Sequence, residues 1–260
     1  MADVTEPYLS NHGKIALEGL HNTRDLGGLP AGAGSIRPRR LLRSGMLASA
    51  TPGDMESLRD DYDVRLVIDL RTDEEAAYSP DPMDLIPEAR LVRLPVFRAP
   101  SADGADAREA MRDLGEKLGG GELDIMGLFC GLYPRFVLGK NGIAAYRGLF
   151  QELLALGEGA ALWHCSAGKD RCGIASMLVE TALGVPWDLV EQDYLATNEM
   201  IMAKGAARNM FDVGGVDTRY LRAALNAISR EFGSLDGYLA DALGVDSAAR
   251  AELREKFVAA

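Results

Sequence analysis

The run "AALWHC" (160–165) passes through the small polar loop "SAGKDR" into "CGIASMLVETALG", a helical pattern closed at Gly184. A short apolar run of strand type that turns through six residues into a helix constrains the fold more than any other feature of the chain. Further β-type runs stand at 65–70 ("RLVIDL") and 91–96 ("LVRLPV"), with a weaker one at 39–44 ("RRLLRS"), and they read as strands of one buried sheet. Thr51 with Pro52 behind it opens a short helix over 51–63, which makes the first half β-α-β.

Residues 101–157 break that rhythm. "SADGADAREAMRDLGEKLGGG" and "YRGLFQELLALG" carry helical spacing interrupted by Gly119, Gly120 and Gly121, and read as an inserted segment plus one packing helix. After the loop the chain reads as entirely helical: 172–184, then a helix behind Pro186, then "DTRYLRAALNAISREFG", "SLDGYLADALG" and "DSAARAELREKF", each opened by a capping-type residue. Strands first and helices last give an α/β sandwich. The expectation is one domain over 1–260, its central sheet flanked by helices, with a helical lid insertion over about 101–140.

A formal charge of -11 over 260 residues disfavours nucleic acid and anionic membranes as partners, because the molecule repels phosphates at long range. An enzyme acting on phosphate then needs a local positive site. The basic stretch at Arg37, Arg39, Arg40 and Arg43 reads most simply as a solvated strand edge or loop. Cys130, Cys165 and Cys172 cannot all pair, and no Cys/His cluster has zinc spacing, so neither a disulfide scaffold nor a metal is expected. With no signal-like start and no long apolar run, the default is a cytoplasmic protein, leaving export without a signal peptide open.

In "HCSAGKDRCG", Cys165 ends the strand and a helix begins about six residues later, so loop N–H groups and the helix N-terminus can converge on one anion beside the sulfur. That convergence favours the thiolate, which a free cysteine mostly lacks at neutral pH. Five residues separate Cys165 from Arg171, enough for the chain to curl round a tetrahedral anion and bring back a planar guanidinium. Gly168 supplies backbone freedom, Ser166 and Ala167 are small enough to leave N–H groups pointing inward, Lys169 adds a cation, and His164 can orient the cysteine through the backbone. The competing reading is a packing turn with a buried cysteine.

The segment "HCSAGKDR" resembles the phosphate-binding loop of the cysteine-dependent protein tyrosine phosphatase superfamily, in the bacterial subgroup with Lys and Asp inside the loop. "NTRDLGG" (22–28), "LLRSGML" (41–47), "VIDLRTDEE" (67–75) and "DYLATN" (193–198) resemble that subgroup's recurring segments in the same order, so the likeness spans nearly the whole chain and is weakest over 100–140. It implies a metal-free phosphate monoester hydrolase without cofactor, in which Cys165 forms a phosphocysteine intermediate and Arg171 with the loop amides of Ser166, Ala167, Gly168 and Lys169 holds the phosphoryl oxygens. Phosphotyrosine protein is the leading substrate, and the loop lysine adds phosphoinositides. For the proton donor the resemblance suggests Asp170, with Asp69, Asp73 and Asp103 as alternatives; Asp170 can equally be a counter-ion beside Lys169 and Arg171, and Asp69 a partner of Arg71.

Cys172 stands where that superfamily usually has Ser or Thr, a poorer donor to the departing thiolate, and it can otherwise fill space or trap an oxidised Cys165. Asn22, Arg24 and Asp25 are expected to support the loop from a neighbouring turn. Tyr194 and Leu195 are expected in the core, and Asn198 either there or near substrate. Two other classes stay open, a phosphate-binding module without turnover and a sulfurtransferase.

Overall fold

The structure is a computed structural model that describes Tyr8 and residues 11–97, 124–202 and 215–260. The strands are β1 (Arg24–Asp25), β2 (Pro30–Ala31), β3 (Gly34–Ile36), β4 (Leu41–Ser44), β5 (Val64–Asp69), β6 (Arg90–Arg93), β7 (Ala160–His164) and β8 (Val258–Ala259). Five form the central sheet in the order β1-β4-β7-β5-β6, antiparallel at β1 and parallel elsewhere. Central β7 is buried throughout, as a strand covered on both faces must be. Alternation assigns the faces: Leu42, Val67 and Leu162 point to one apolar cluster, Leu41, Leu66, Ile68, Ala161 and Trp163 to the other.

The helices are α1 (Pro52–Asp60), α2 (Asp73–Tyr78), α3 (Ile125–Leu138), α4 (Lys140–Ala155), α5 (Asp170–Leu183), α6 (Trp187–Met202), α7 (Thr218–Phe232), α8 (Leu235–Gly237, running on as a π turn over Tyr238–Ala242) and α9 (Ser247–Phe257). α1 opens as expected: Thr51 accepts from the Asp54 amide and Asp54 from the Thr51 amide, closing a capping box behind Pro52. α5 buries nearly its whole surface against β4, β7 and α6, and ends at Gly184 in the left-handed conformation (φ +90°).

The β-α-β first half, the flanking helices and the weak strand at 39–44 are all present. Of the expected insertion, α3 is the described part, packed on α7; 101–123, with Gly119, Gly120 and Gly121, lie outside the described residues. One expectation fails: the chain after the loop is not wholly helical, because β8 pairs with β3 in a second small sheet of order β2-β3-β8. A two-residue strand carries too little sequence to display a period. Among the described residues, no helix is long and apolar enough to cross a membrane.

Candidate active site

The loop between β7 and α5 is clamped from three sides. Gly168 adopts φ +64°, and a Cβ there would lie 2.7 Å from the Ser44 and Gly45 backbone, so the position demands glycine both for conformation and for space. The Gly168 carbonyl accepts from Asn22 Nδ2 (2.7 Å) and Arg43 Nη2 (3.0 Å), while the Ser166 carbonyl accepts from the Met46 amide (3.1 Å). Asn22 makes this reach from a left-handed backbone (φ +55°).

Cys165 is buried and free. Burial pushes its thiol up, but the Cys172 thiol, the Arg171 charge and the N–H groups of Cys172 and Lys169 outweigh burial and hold it well below the ordinary thiol range. Of the amides expected to converge on the sulfur, those of Lys169 and Cys172 are the ones that lower it. Cys172 is raised instead, by burial and by its neighbour Cys165, and stays a thiol, its Sγ 3.7 Å from the Ser44 carbonyl.

Arg171 does not hang free over the loop. Glu75 grips it in a two-pronged pair, Nη1–Oε2 at 2.5 Å and Nη2–Oε1 at 3.0 Å, and Ser166 Oγ donates to the same carboxylate at 2.5 Å. Glu75 is also the third residue of α2, where it accepts from the Thr72 amide in a capping box. Burial raises its carboxyl, yet Arg171, Ser166 and the Thr72 amide bring it down to about 2. Because that value is depressed, the stability from this pair is complete above the ordinary glutamate range and is lost as pH falls towards about 2. Glu75→Gln keeps the shape but not the charge; we expect phosphatase kcat/KM to fall about tenfold, the worth of one charge-assisted bond, and an unchanged value would deny Glu75 a part in orienting Arg171.

Asp170 opens α5. Its Oδ1 accepts from Tyr133 Oη (2.8 Å), and its Oδ2 lies 3.6 Å from Lys169 Nζ. Burial raises its carboxyl and prevails over the lowering from Lys169 and Tyr133. Lys169 is itself fully buried, its ammonium 4.6 Å from the centre of the Phe129 ring on α3. Among the alternative carboxylates, Asp73 is half-exposed and paired with Arg93 at 3.5 Å, and Asp103 lies outside the described residues.

Behind the cysteine, His164 Nδ1 stands 3.4 Å from the Cys165 carbonyl and Nε2 3.3 Å from Asp81 Oδ2. Asp69 is bound to Arg71 through both oxygens (2.9 and 3.0 Å), and Arg71 continues to Asp81 at 2.7 Å. Burial raises Asp69, but Arg71 and His164 bring it below the usual aspartate range. Asp69, Asp81 and His164 are close enough to share a cation, but the Arg71 guanidinium already bridges the two carboxylates.

The "NTRDLGG" turn divides its labour. Asn22 touches the loop; Asp25 instead holds its own turn, accepting from the Gly27 and Arg39 amides at 2.8 Å. Arg24 reaches Asp193 on α6 (2.8 Å) and Thr197 (3.0 Å), while Arg43 binds the other Asp193 oxygen at 2.6 Å. Arg43, read in sequence as part of a solvated basic stretch, is thus completely buried, because β4 carries it under α6. Tyr8 donates to Asp193 as well (2.5 Å). Asn198 bonds both backbone groups of Val216 and so ties α6 to the approach to α7. The roles of Glu75, Asp193 and Tyr133 have no local signal; Thr72-x-x-Glu75 does announce a helix cap, but nothing in it announces a partner 96 residues away.

A thiol lowered well below its ordinary range, with a guanidinium locked nearby by Glu75, suits the reception of a tetrahedral anion. Comparisons with known proteins identify the family. The sequence pattern of the tyrosine phosphatase family matches residues 15–259. A Cupriavidus necator protein named as a tyrosine-protein phosphatase is 32% identical, over 94% of this chain and 88% of that one. The triple specificity protein phosphatase PtpB of Mycobacterium tuberculosis is 28% identical over 87% of this chain and 92% of its own. With the match running from the first strand region to the last, this chain belongs to the tyrosine phosphatase family.

Proposed function

We propose that the protein hydrolyses phosphate monoesters, phosphotyrosine foremost, through a phosphocysteine on Cys165 and without a metal. The observation that carries this is the depressed Cys165 thiol facing the Lys169 and Cys172 amides. The Cys165 thiolate attacks phosphorus; the S–P bond forms as the P–O bond to the leaving group breaks, and the leaving oxygen takes a proton from Asp170. Arg171 and the amides of Ser166, Ala167, Gly168 and Lys169 carry the charge of the equatorial oxygens. Water then attacks, Asp170 takes back a proton, and Cys165 departs as thiolate.

Two observations favour Asp170 over Asp69 as the donor. Asp170 has its carboxyl raised and sits in the loop, whereas Asp69 is held ionised by Arg71. Among substrates, a phosphopeptide fits better than a polyphosphorylated lipid, since Lys169 is spent on Asp170 and the Phe129 ring and the net charge is -11. The M. tuberculosis relative is named for triple specificity, so phosphoserine and phosphothreonine peptides belong in the substrate panel.

The test is phosphate release in excess chelator from an aryl phosphate, phosphopeptides and phosphoinositides, with mass spectrometry of acid-quenched enzyme. We expect turnover that survives chelator and a phosphoryl group on the peptide bearing Cys165; a chelator-sensitive rate, or bound phosphate analogue without turnover, would overturn the reading. Sulfur transfer from thiosulfate is expected to be absent. A further expectation concerns Cys172: its thiol is a weak donor to the departing sulfur, so Cys172→Ser should speed breakdown of the intermediate several-fold. An equal or lower steady-state rate, with the intermediate still accumulating, would assign Cys172 to packing alone.

A further inference from the structure

The reading of Asp170 as proton donor leaves open what fixes its carboxyl, since the neighbouring loop offers it two cations, Lys169 and Arg171, and the Cys165 sulfur, none of which bonds Oδ1. The rest comes from α3. Tyr133, fully buried, donates to Asp170 Oδ1 at 2.8 Å; having one hydrogen, its oxygen receives that of Tyr194 on α6, 2.7 Å away. Tyr194 is held in place because its ring packs on Gly173, where a Cβ would come within 2.9 Å of it. One turn before Tyr133 on the same face of α3 is Phe129, whose ring carries the Lys169 ammonium that faces Oδ2. Tyr220 of α7 packs against both aromatic rings, at 5.0 and 5.5 Å between centres. A single helix therefore supplies the partner of one Asp170 oxygen and holds the partner of the other.

Resting on that reading of Asp170, we propose that Tyr133, backed by Tyr194, is a positioning residue for proton donation: its hydroxyl occupies Oδ1 and leaves Oδ2 as the oxygen that carries the transferable proton. Tyr133 touches neither sulfur nor phosphate and acts only through the carboxyl. The titratable or charged groups facing that carboxyl are Lys169, Arg171 and Cys165 from the loop, Tyr133 from α3, Tyr194 from α6 and Tyr220 from α7.

Tyr133→Phe keeps the ring and removes the bond. Tyr133 favours the charged carboxylate, so its loss should move the basic limb of the kcat/KM profile up by about one pH unit. It should also lower kcat about tenfold for a phosphate ester with a poor, alkyl-type leaving group, which needs the proton, and barely change it for a nitrophenyl ester, which does not. Tyr194→Phe should do the same more weakly, and serves if the first variant does not fold. Asp170→Asn separates the two claims. If it abolishes the basic limb while both tyrosine variants keep the parent profile and the parent leaving-group dependence, the positioning role is wrong; if Asp170→Asn itself leaves both unchanged, the reading of Asp170 fails and the proposal with it.

Discussion

Cys165→Ser should lower phosphate release by roughly 10⁴-fold or more while leaving the fold and the binding of phosphate analogues intact. On the proposed mechanism the site has to favour a negative sulfur, and the Cys172 thiol, Arg171 and the Cys172 and Lys169 amides all lower the Cys165 thiol. A serine hydroxyl, with an unperturbed affinity for its proton far above that of a thiol, is not ionised by the same surroundings, and His164, the one imidazole beside it, faces the Cys165 carbonyl and Asp81 instead of the sulfur. The nest survives without its nucleophile. Side by side, turnover of an aryl phosphate and equilibrium binding of vanadate or phosphate would be measured; residual turnover within tenfold of the parent would mean that water, not sulfur, attacks phosphorus.

Asp193→Ala is the substitution expected to cost the most stability, roughly 3–5 kcal/mol. Among the described residues, Asp193 is the carboxylate that binds both Arg24 and Arg43, each entirely buried, and Tyr8 donates to it as well. Burial raises its carboxyl, but Arg24 and Arg43 prevail and hold it below the usual aspartate range. The nearby Glu180 is the opposite case: burial and the Asp193 charge push its carboxyl well up. Removing Asp193 leaves two guanidinium groups in a dry interior without the carboxylate they share, and it releases Arg43, whose other nitrogen holds the Gly168 carbonyl. Urea unfolding measures the loss. Because the folded value is depressed, the contribution is present above the ordinary aspartate range and disappears as pH falls below it, so parent and variant should converge in acid. A loss under 1 kcal/mol at neutral pH would mean that Glu180 ionises and takes over.

The parts legible in the sequence are those whose chemistry is contiguous. β7, the loop and α5 form one unbroken stretch, so Cys165, Gly168 and Arg171 could be found by spacing, and the strands at 65–70 and 91–96 by their apolar runs. The contacts of Glu75, Tyr133 and Asp193 are not legible, although Glu75 and Asp193 stand in quoted segments, because each meets the loop, or the residues that hold it, across long stretches of chain. Arg43 shows the same limit from the other side. Flanked by other arginines it looks like a surface charge, and only the pairing of β4 with β7 places it inside.

β4 and β5 follow one another in the chain but never touch, because β7 lies between them. While the chain is being made, both therefore wait with an unsatisfied edge until residues 160–164 arrive, about 90 residues after β5 ends, or on the order of 5–20 s at ordinary synthesis rates. The strand that leads into Cys165 is also the one that closes the sheet. Newborn chains consequently bury these two edges only when that strand arrives, and the interval before it is when a chaperone has something to hold.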